Sequence, residues 1–96
     1  MFKQTHRELG RLKVGEKTTI IFKADNPIQV LRMTASCGCS SPKFDKSNNQ
    51  VIVKYKPQPV PKHLQASGEY ITKKFITVIL NDGSKHSLSF AATVTN

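Results

Sequence analysis

Tyr70-Ile71-Thr72-Lys73-Lys74-Phe75-Ile76-Thr77-Val78-Ile79-Leu80 runs into Asn81-Asp82-Gly83-Ser84, and the stretch from Lys85 to Thr95 follows at once. Both long stretches are rich in β-branched and aromatic residues. The four residues between them form a strong hairpin signal, because Asp82-Gly83 supplies the positive-φ positions of a tight turn. In the returning stretch Leu88, Phe90, Ala92 and Val94 share a face, since successive side chains of a strand point to opposite sides. The outgoing stretch departs from that rule. Ile76, Val78 and Leu80 take one face, while Ile71, Phe75, Thr77 and Ile79 load the other.

The same period recurs towards the N-terminus. Lys17 to Ala24 alternates, with Thr18, Ile20, Phe22 and Ala24 on one side, and Asp25-Asn26-Pro27 ends it. Ile28 to Ser36 reads as the next strand, but its apolar phase slips between Val30 and Leu31, as one extra residue in a bulge would produce. Gln50 to Lys56 is a further strand with Val51, Val53 and Tyr55 together, and Pro57 stops it. A first strand is expected within Phe2 to Leu9, and Ser41 to Asn49 reads as turn-rich. The stretch from Pro57 to Gly68 holds Pro57, Pro59 and Pro61 and predicts a long exposed loop, since proline cannot donate to a ladder. No window of a dozen residues keeps a helical stripe. Six or seven half-polar strands in 96 residues close naturally as an antiparallel sandwich in which each sheet buries one face. No repeat or linker divides the chain, so residues 1–96 read as one domain.

Composition narrows the function classes. Hydrophobic residues make up 38% and charged residues 22%, which suits a folded domain. No run approaches the roughly 20 apolar residues of a membrane span, and Lys3, Arg7 and Glu8 stand where a signal peptide would carry its apolar stretch. The expectation is synthesis in the cytoplasm without a secretion signal and no membrane contact. Fifteen Lys and Arg against six Asp and Glu leave a formal charge of +9, which suits an acidic partner. Along the sequence the basic residues are scattered, without aromatic interleaving or a basic block. On that spacing, nucleic acid is expected to bind only weakly and without sequence preference.

Both cysteines sit in Cys37-Gly38-Cys39-Ser40. A redox role needs an exposed thiolate of lowered pKa, usually at a helix N-terminus or beside a cation, and no helix is predicted here. A disulfide within Cys-x-Cys would strain the preferred geometry. Structural zinc takes four ligands, and His6, His63 and His86 lie at no ligand spacing from one another. The remaining reading makes Cys37, Gly38 and Cys39 a structural motif, one cysteine packing in the core while the glycine permits a tight turn. The carboxylates form no evident acid-base pair, and no phosphate loop or nucleophile elbow is present. No catalytic residue, metal or cofactor is expected, and the chain reads as a non-enzyme.

Leu9-Gly10, Val14-Gly15-Glu16, the strand ending at Asn26, the Ile28, Val30 and Met33 ladder, Cys37-Gly38-Cys39-Ser40, Pro42 and the closing Leu88-x-Phe90-x-Ala92-x-Val94 together carry a resemblance. Over residues 6 to 95 the chain resembles a bacterial immunoglobulin-like family of unknown function that carries a Cys-Gly-Cys-Ser/Thr motif, itself similar to major-sperm-protein-like and papD-like sandwiches. It departs from that family in having no signal segment and a longer proline-rich loop. The resemblance implies an all-β, immunoglobulin-like antiparallel β-sandwich of about seven strands, with no activity attached.

Three functions follow as expectations. The first is a non-enzymatic structural or interaction module that binds a protein partner or enters a larger assembly, by analogy of fold an accessory or decoration protein of a bacteriophage particle. Its partner surface would be Ile71, Lys73, Phe75 and Ile79 on the doubly apolar strand, extended by Val60 and Leu64 on the proline-stiffened loop. The competing expectation for that strand is that a phase slip or an overlying terminal segment buries its second face within the same chain. The second function is a cytoplasmic binder of nucleic acid or of an acidic host protein through the basic surface. The third is a thiol redox protein using Cys37 and Cys39.

Overall fold

The computed structural model describes residues 2–36, 38 and 40–96. Its strands are β1 (His6–Lys13), β2 (Thr18–Lys23), β3 (Val30–Ala35), β4 (Ser40–Asp45), β5 (Gln50–Tyr55), β6 (Glu69–Leu80) and β7 (Lys85–Thr95). They build a four-stranded sheet in the order β1-β7-β6-β3 and a three-stranded sheet in the order β2-β5-β4. Every pairing is antiparallel except β1 on β7. β2, β5 and β4 in one layer and β3, β6 and β7 in the other follow the B-E-D and C-F-G strands of an immunoglobulin sandwich, but β1 joins the second layer beside β7, where a constant-type domain keeps its first strand in the first layer. The fold is an immunoglobulin-like all-β sandwich. Among the described residues no helix is long and apolar enough to cross a membrane.

The alternation read from the sequence builds the core. Ile20 and Phe22 of β2, Val51, Val53 and Tyr55 of β5, Ile76 and Val78 of β6, and Leu88, Phe90 and Val94 of β7 are all buried. Tyr55 and Phe90 meet across the two sheets with ring centroids 4.9 Å apart and planes at 61°, an edge-to-face contact that adds about 0.5–1.5 kcal/mol to their burial.

The β6–β7 hairpin turns where Asp82-Gly83 predicts it. Gly83 sits at φ 87° and its N–H donates to the Leu80 carbonyl at 2.9 Å, while the Leu80 N–H donates to Ser84 O at 3.0 Å. Asp82 Oδ1 accepts from the Ser84 hydroxyl at 2.6 Å and the Ser84 N–H at 2.9 Å, and these bonds hold its carboxyl below the ordinary carboxylate range. A Cβ at Gly83 would meet nothing within 4 Å, so Gly83→Ala tests backbone strain alone. The expected loss is about 1–2 kcal/mol, seen as a lower urea midpoint at an unchanged slope. An unchanged midpoint would contradict the left-handed conformation.

β3 carries the predicted bulge. Its register on β6 shifts between Val30 and Arg32, which leaves Leu31 as the extra, exposed residue. Beyond it Met33 and Ala35 are half-buried and Arg32 and Thr34 exposed.

Three expectations are corrected. The first strand runs from His6 to Lys13, not from Phe2 to Leu9, because Gly10 at φ 73° lets the chain continue through a register shift between Glu8 and Arg11. Phe2 instead bridges Ala24 of the other layer, and the chain then crosses so that Thr5 O accepts the Ser89 N–H. The segment read as turn-rich begins with a strand: β4 occupies Ser40–Asp45, with Ser40 buried and Pro42 and Phe44 half-buried. Pro42 is tolerated there because β4 is an edge strand. The proline-rich segment is irregular apart from one 3-10 turn at Lys62–Leu64, but it is not wholly exposed, since Pro57 and Val60 are buried.

Asn49, in the turn between β4 and β5, ties that turn to the loop after β2. It adopts φ 52°, a conformation that asparagine tolerates better than most residues. Its side-chain oxygen accepts the Ile28 N–H at 3.1 Å, and its amide donates to Asn26 O at 2.8 Å and Ala24 O at 3.4 Å.

Candidate interaction surface

The outer face of the four-stranded sheet is built by alternate residues of β6 and their lateral neighbours. Phe75 lies opposite Ser89, Lys73 opposite Ala91 and Ile71 opposite Thr93, while Ile79 lies between Lys85 of β7 and Arg32 of β3. Hydroxyl side chains therefore lie beside Ile71 and Phe75, whereas Ile79 is flanked by two cations. Ile71 is 82% and Phe75 44% exposed, and Ile79 is half-buried. The expectation that this chain buries its own second face is corrected for Ile71 and Phe75: no bulge interrupts β6 beside them, and among the described residues no terminal segment buries them.

Local bonds hold the patch in place. The Phe75 N–H donates to Ser36 Oγ at 3.0 Å, and the Ser36 N–H returns a bond to Phe75 O at 2.9 Å. The Lys73 ammonium stands 5.4 Å from the Phe75 ring centroid, a cation–π contact of about 0.5–1 kcal/mol at an exposed site. The acids of this face are engaged. His6 bonds both Ser89 Oγ at 2.7 Å and Glu8 at 2.8 Å, and Arg11 meets Glu69 at 2.6 Å. Exposed pairs of this kind contribute at most about 1 kcal/mol each.

Of the residues expected at the partner surface, the structure brings Ile71, Lys73, Phe75 and Ile79 together on β6. Val60 is withdrawn: it is 5% exposed and its side chain is spent on the domain's own packing, which corrects its expected place in the patch. Leu64 is half-buried in the 3-10 turn. The Tyr70 hydroxyl pins the loop by donating to Gln58 O at 2.9 Å, and burial raises the phenols of Tyr70 and of neighbouring Tyr55 above their ordinary range.

Cys37 and Cys39 lie outside the described residues. Gly38 is exposed and a Cβ there would meet nothing within 4 Å, so crowding does not call for glycine. Among the described residues no three His, Cys, Asp or Glu side chains converge.

The three-stranded sheet presents a different surface, which the scattered spacing of lysines concealed. A depression of about 630 Å³ at one end of this sheet is bordered by Lys17, Lys54 and Lys56 together with Tyr55 and Pro57. A second, of about 550 Å³, lies along β4 between Lys43, Lys46 and Lys54. A third, of about 370 Å³, is flanked by Lys3, Arg7 and Lys23 at the edge of β2 that the N-terminal segment crosses. Asp45 is the single carboxylate lining any of the three. Hydrogen bonds from Asn48 keep its carboxyl below the ordinary carboxylate range.

No family model and no curated protein matches the chain. Solved structures that share its fold include the following two. One is the R347E mutant of the SrpA adhesin from Streptococcus sanguinis, with a TM-score of 0.53 and 14% identity over 88% of this chain. The other is a 2,6-sialyltransferase from Photobacterium sp. JT-ISH-224, with a TM-score of 0.54 and 8% identity over 97% of this chain. The chain spans about half of the adhesin structure (54%) and less than a fifth of the sialyltransferase (18%). At these identities the likeness establishes the sandwich and nothing about chemistry.

Proposed function

We propose that this chain is a non-enzymatic interaction module whose partner docks on the outer face of the four-stranded sheet. One observation supports the reading above others: Ile71 at 82% and Phe75 at 44% exposure stand on the outward face of β6 with only Lys73 between them, on a stretch of regular register. Full burial of such a side chain is worth roughly 1.5–3 kcal/mol, of which the isolated domain leaves most unused at Ile71 and somewhat under half at Phe75. The partner is a protein with a complementary apolar surface. By analogy of fold, the larger assembly is the exterior of a bacteriophage particle, to which a small sandwich adds as decoration.

Phe75→Glu tests this reading. Because Phe75 faces outwards, the variant should still fold, losing about 1 kcal/mol of stability with the Lys73 contact and the half-buried ring. It should lose association by at least about 30-fold, the cost of about 2 kcal/mol expected at a central apolar anchor. The measurement is sedimentation of tagged wild-type and variant protein from source cells and from purified particles: wild type in a large complex, the variant alone. A variant that folds and still sediments with the complex removes this face from consideration.

A further inference from the structure

We propose that the outer face of the three-stranded sheet binds the phosphate backbone of duplex nucleic acid. This surface is separate from the protein-docking face of the other sheet. The register of β2, β5 and β4 arranges the outward positions in rows two residues apart. Thr19, Lys54 and Ser41 form one row, and Ile21, Ile52 and Lys43 the next. Lys17 and Lys56 extend the series beyond one end, and Lys23 stands at the other in the row closed by Gln50 and Asp45. Each row thus carries at least one cation. Adjacent rows lie about 7 Å apart, because each strand residue advances about 3.4 Å. Lys3 and Arg7 flank β2 and Lys46 follows β4, so eight of the fifteen Lys and Arg residues meet on this side. Arg7 is held there by donating to the Ile21 carbonyl at 3.1 Å.

The pattern selects a polyanion over a discrete acidic group. The cations are almost all lysines, point charges without the fork that fixes a single carboxylate or phosphate, and they recur at even spacing instead of converging. From the Lys56 row to the Lys23 row the face runs about 20 Å, the axial length of about six base pairs of duplex. No aromatic side chain is exposed on it, so base stacking, the main source of single-strand affinity, is missing. Ser41 and Thr19 supply hydroxyl donors between the lysines and no base-reading array accompanies them. Binding is therefore to the backbone and indifferent to sequence.

The experiment is fluorescence anisotropy with a random 16-base-pair duplex, its single strand, poly-glutamate, and vesicles containing anionic lipid. Wild-type protein should prefer the duplex to all three other probes, and should lose about a thousandfold in affinity between about 50 and 200 mM salt, the loss that goes with about six neutralised phosphates. Lys43→Glu with Lys54→Glu, both at exposed positions, should weaken duplex binding at least tenfold at low salt and flatten the salt dependence. Lys73→Glu with Lys85→Glu on the other sheet carries the same change in net charge and should do much less, and Phe75→Glu should bind duplex nearly as wild type does. Circular dichroism and denaturation midpoints confirm that the variants are folded. Equal losses from both charge-reversed pairs would show net charge acting without a site, and tighter binding to single strands, poly-glutamate or vesicles would assign the face to another partner. Either result overturns the proposal.

Discussion

Phe90→Ala should leave the domain barely folded. Phe90 is fully buried at the centre of β7, between its β6 partner Lys74 and its β1 partner Arg7, with the Tyr55 ring edge-on at 4.9 Å. Truncation to alanine removes the burial of a whole ring, leaves a cavity that two hydrogen-bonded sheets cannot close, and strands Tyr55 without its aromatic neighbour. Core phenylalanines cost about 3–5 kcal/mol under such conditions. A chain of 96 residues has roughly 5–14 kcal/mol of total stability at about 0.05–0.15 kcal/mol per residue, so the loss takes a large share. Urea denaturation followed by the shift in midpoint checks it. Phe90→Leu, which keeps most of the volume, should recover more than half of the loss, and equal effects of the two variants would refute the packing account.

The second large effect is expected at a polar residue. Asn49→Ala should cost about 2–4 kcal/mol, although Asn49 lies in a turn. Three losses combine there: the acceptor for the Ile28 N–H, the donors to Asn26 O and Ala24 O, and the tolerance of asparagine for φ 52°. Each hydrogen bond contributes about 0.5–1.5 kcal/mol net, and a left-handed alanine adds about 1–2 kcal/mol. Two controls separate these parts. Asn49→Gly removes the side-chain bonds while relieving the backbone, so it should be less damaging than alanine. Asn49→Asp keeps the acceptor but turns a carboxylate towards two carbonyl oxygens, so it should fall below wild type as well. If alanine and glycine were equally stable, the backbone contribution would be refuted.

What could be read from the chain depended on how strongly the inward positions of each strand alternate, as they do in β2 at Ile20 and Phe22. β5, β6 and β7 are flanked on both sides, and their apolar alternation in Val51, Val53 and Tyr55 or in Leu88, Phe90, Ala92 and Val94 identifies both strand and face. The slip at Leu31 was visible although β3 is an edge strand, since its apolar phase must match that of β6. β4 was hidden because it shares its inward positions among Ser40, Pro42 and Phe44, which carry no strong alternation. Val60 was misplaced because proline-rich sequence marks the absence of a ladder, not the absence of burial. The basic face was illegible for a geometric reason. Lys23, Lys43 and Lys54 are far apart in sequence and become neighbours only through the pairing of β2 and β4 with β5. Asn49 gave no signal at all, since its partners lie more than twenty positions upstream.

The crossing of the N-terminal segment from Ala24 of one layer to Ser89 of the other closes one flank of the sandwich. On the opposite flank, formed by β3 and β4, no such crossing segment is present among the described residues, and the outer edges of strands that end a sheet are templates for strand addition and aggregation. Each strand is spoiled as a template in its own way: Leu31 breaks the repeat of β3 and is followed by the charge of Arg32, while Pro42 removes an amide from β4 beside Lys43. Features that look like defects in a ladder thus act as guards. A version of the chain with Leu31 deleted and Pro42 replaced by valine would offer two long, even edges, and the safeguard against open-ended fibre growth would be gone.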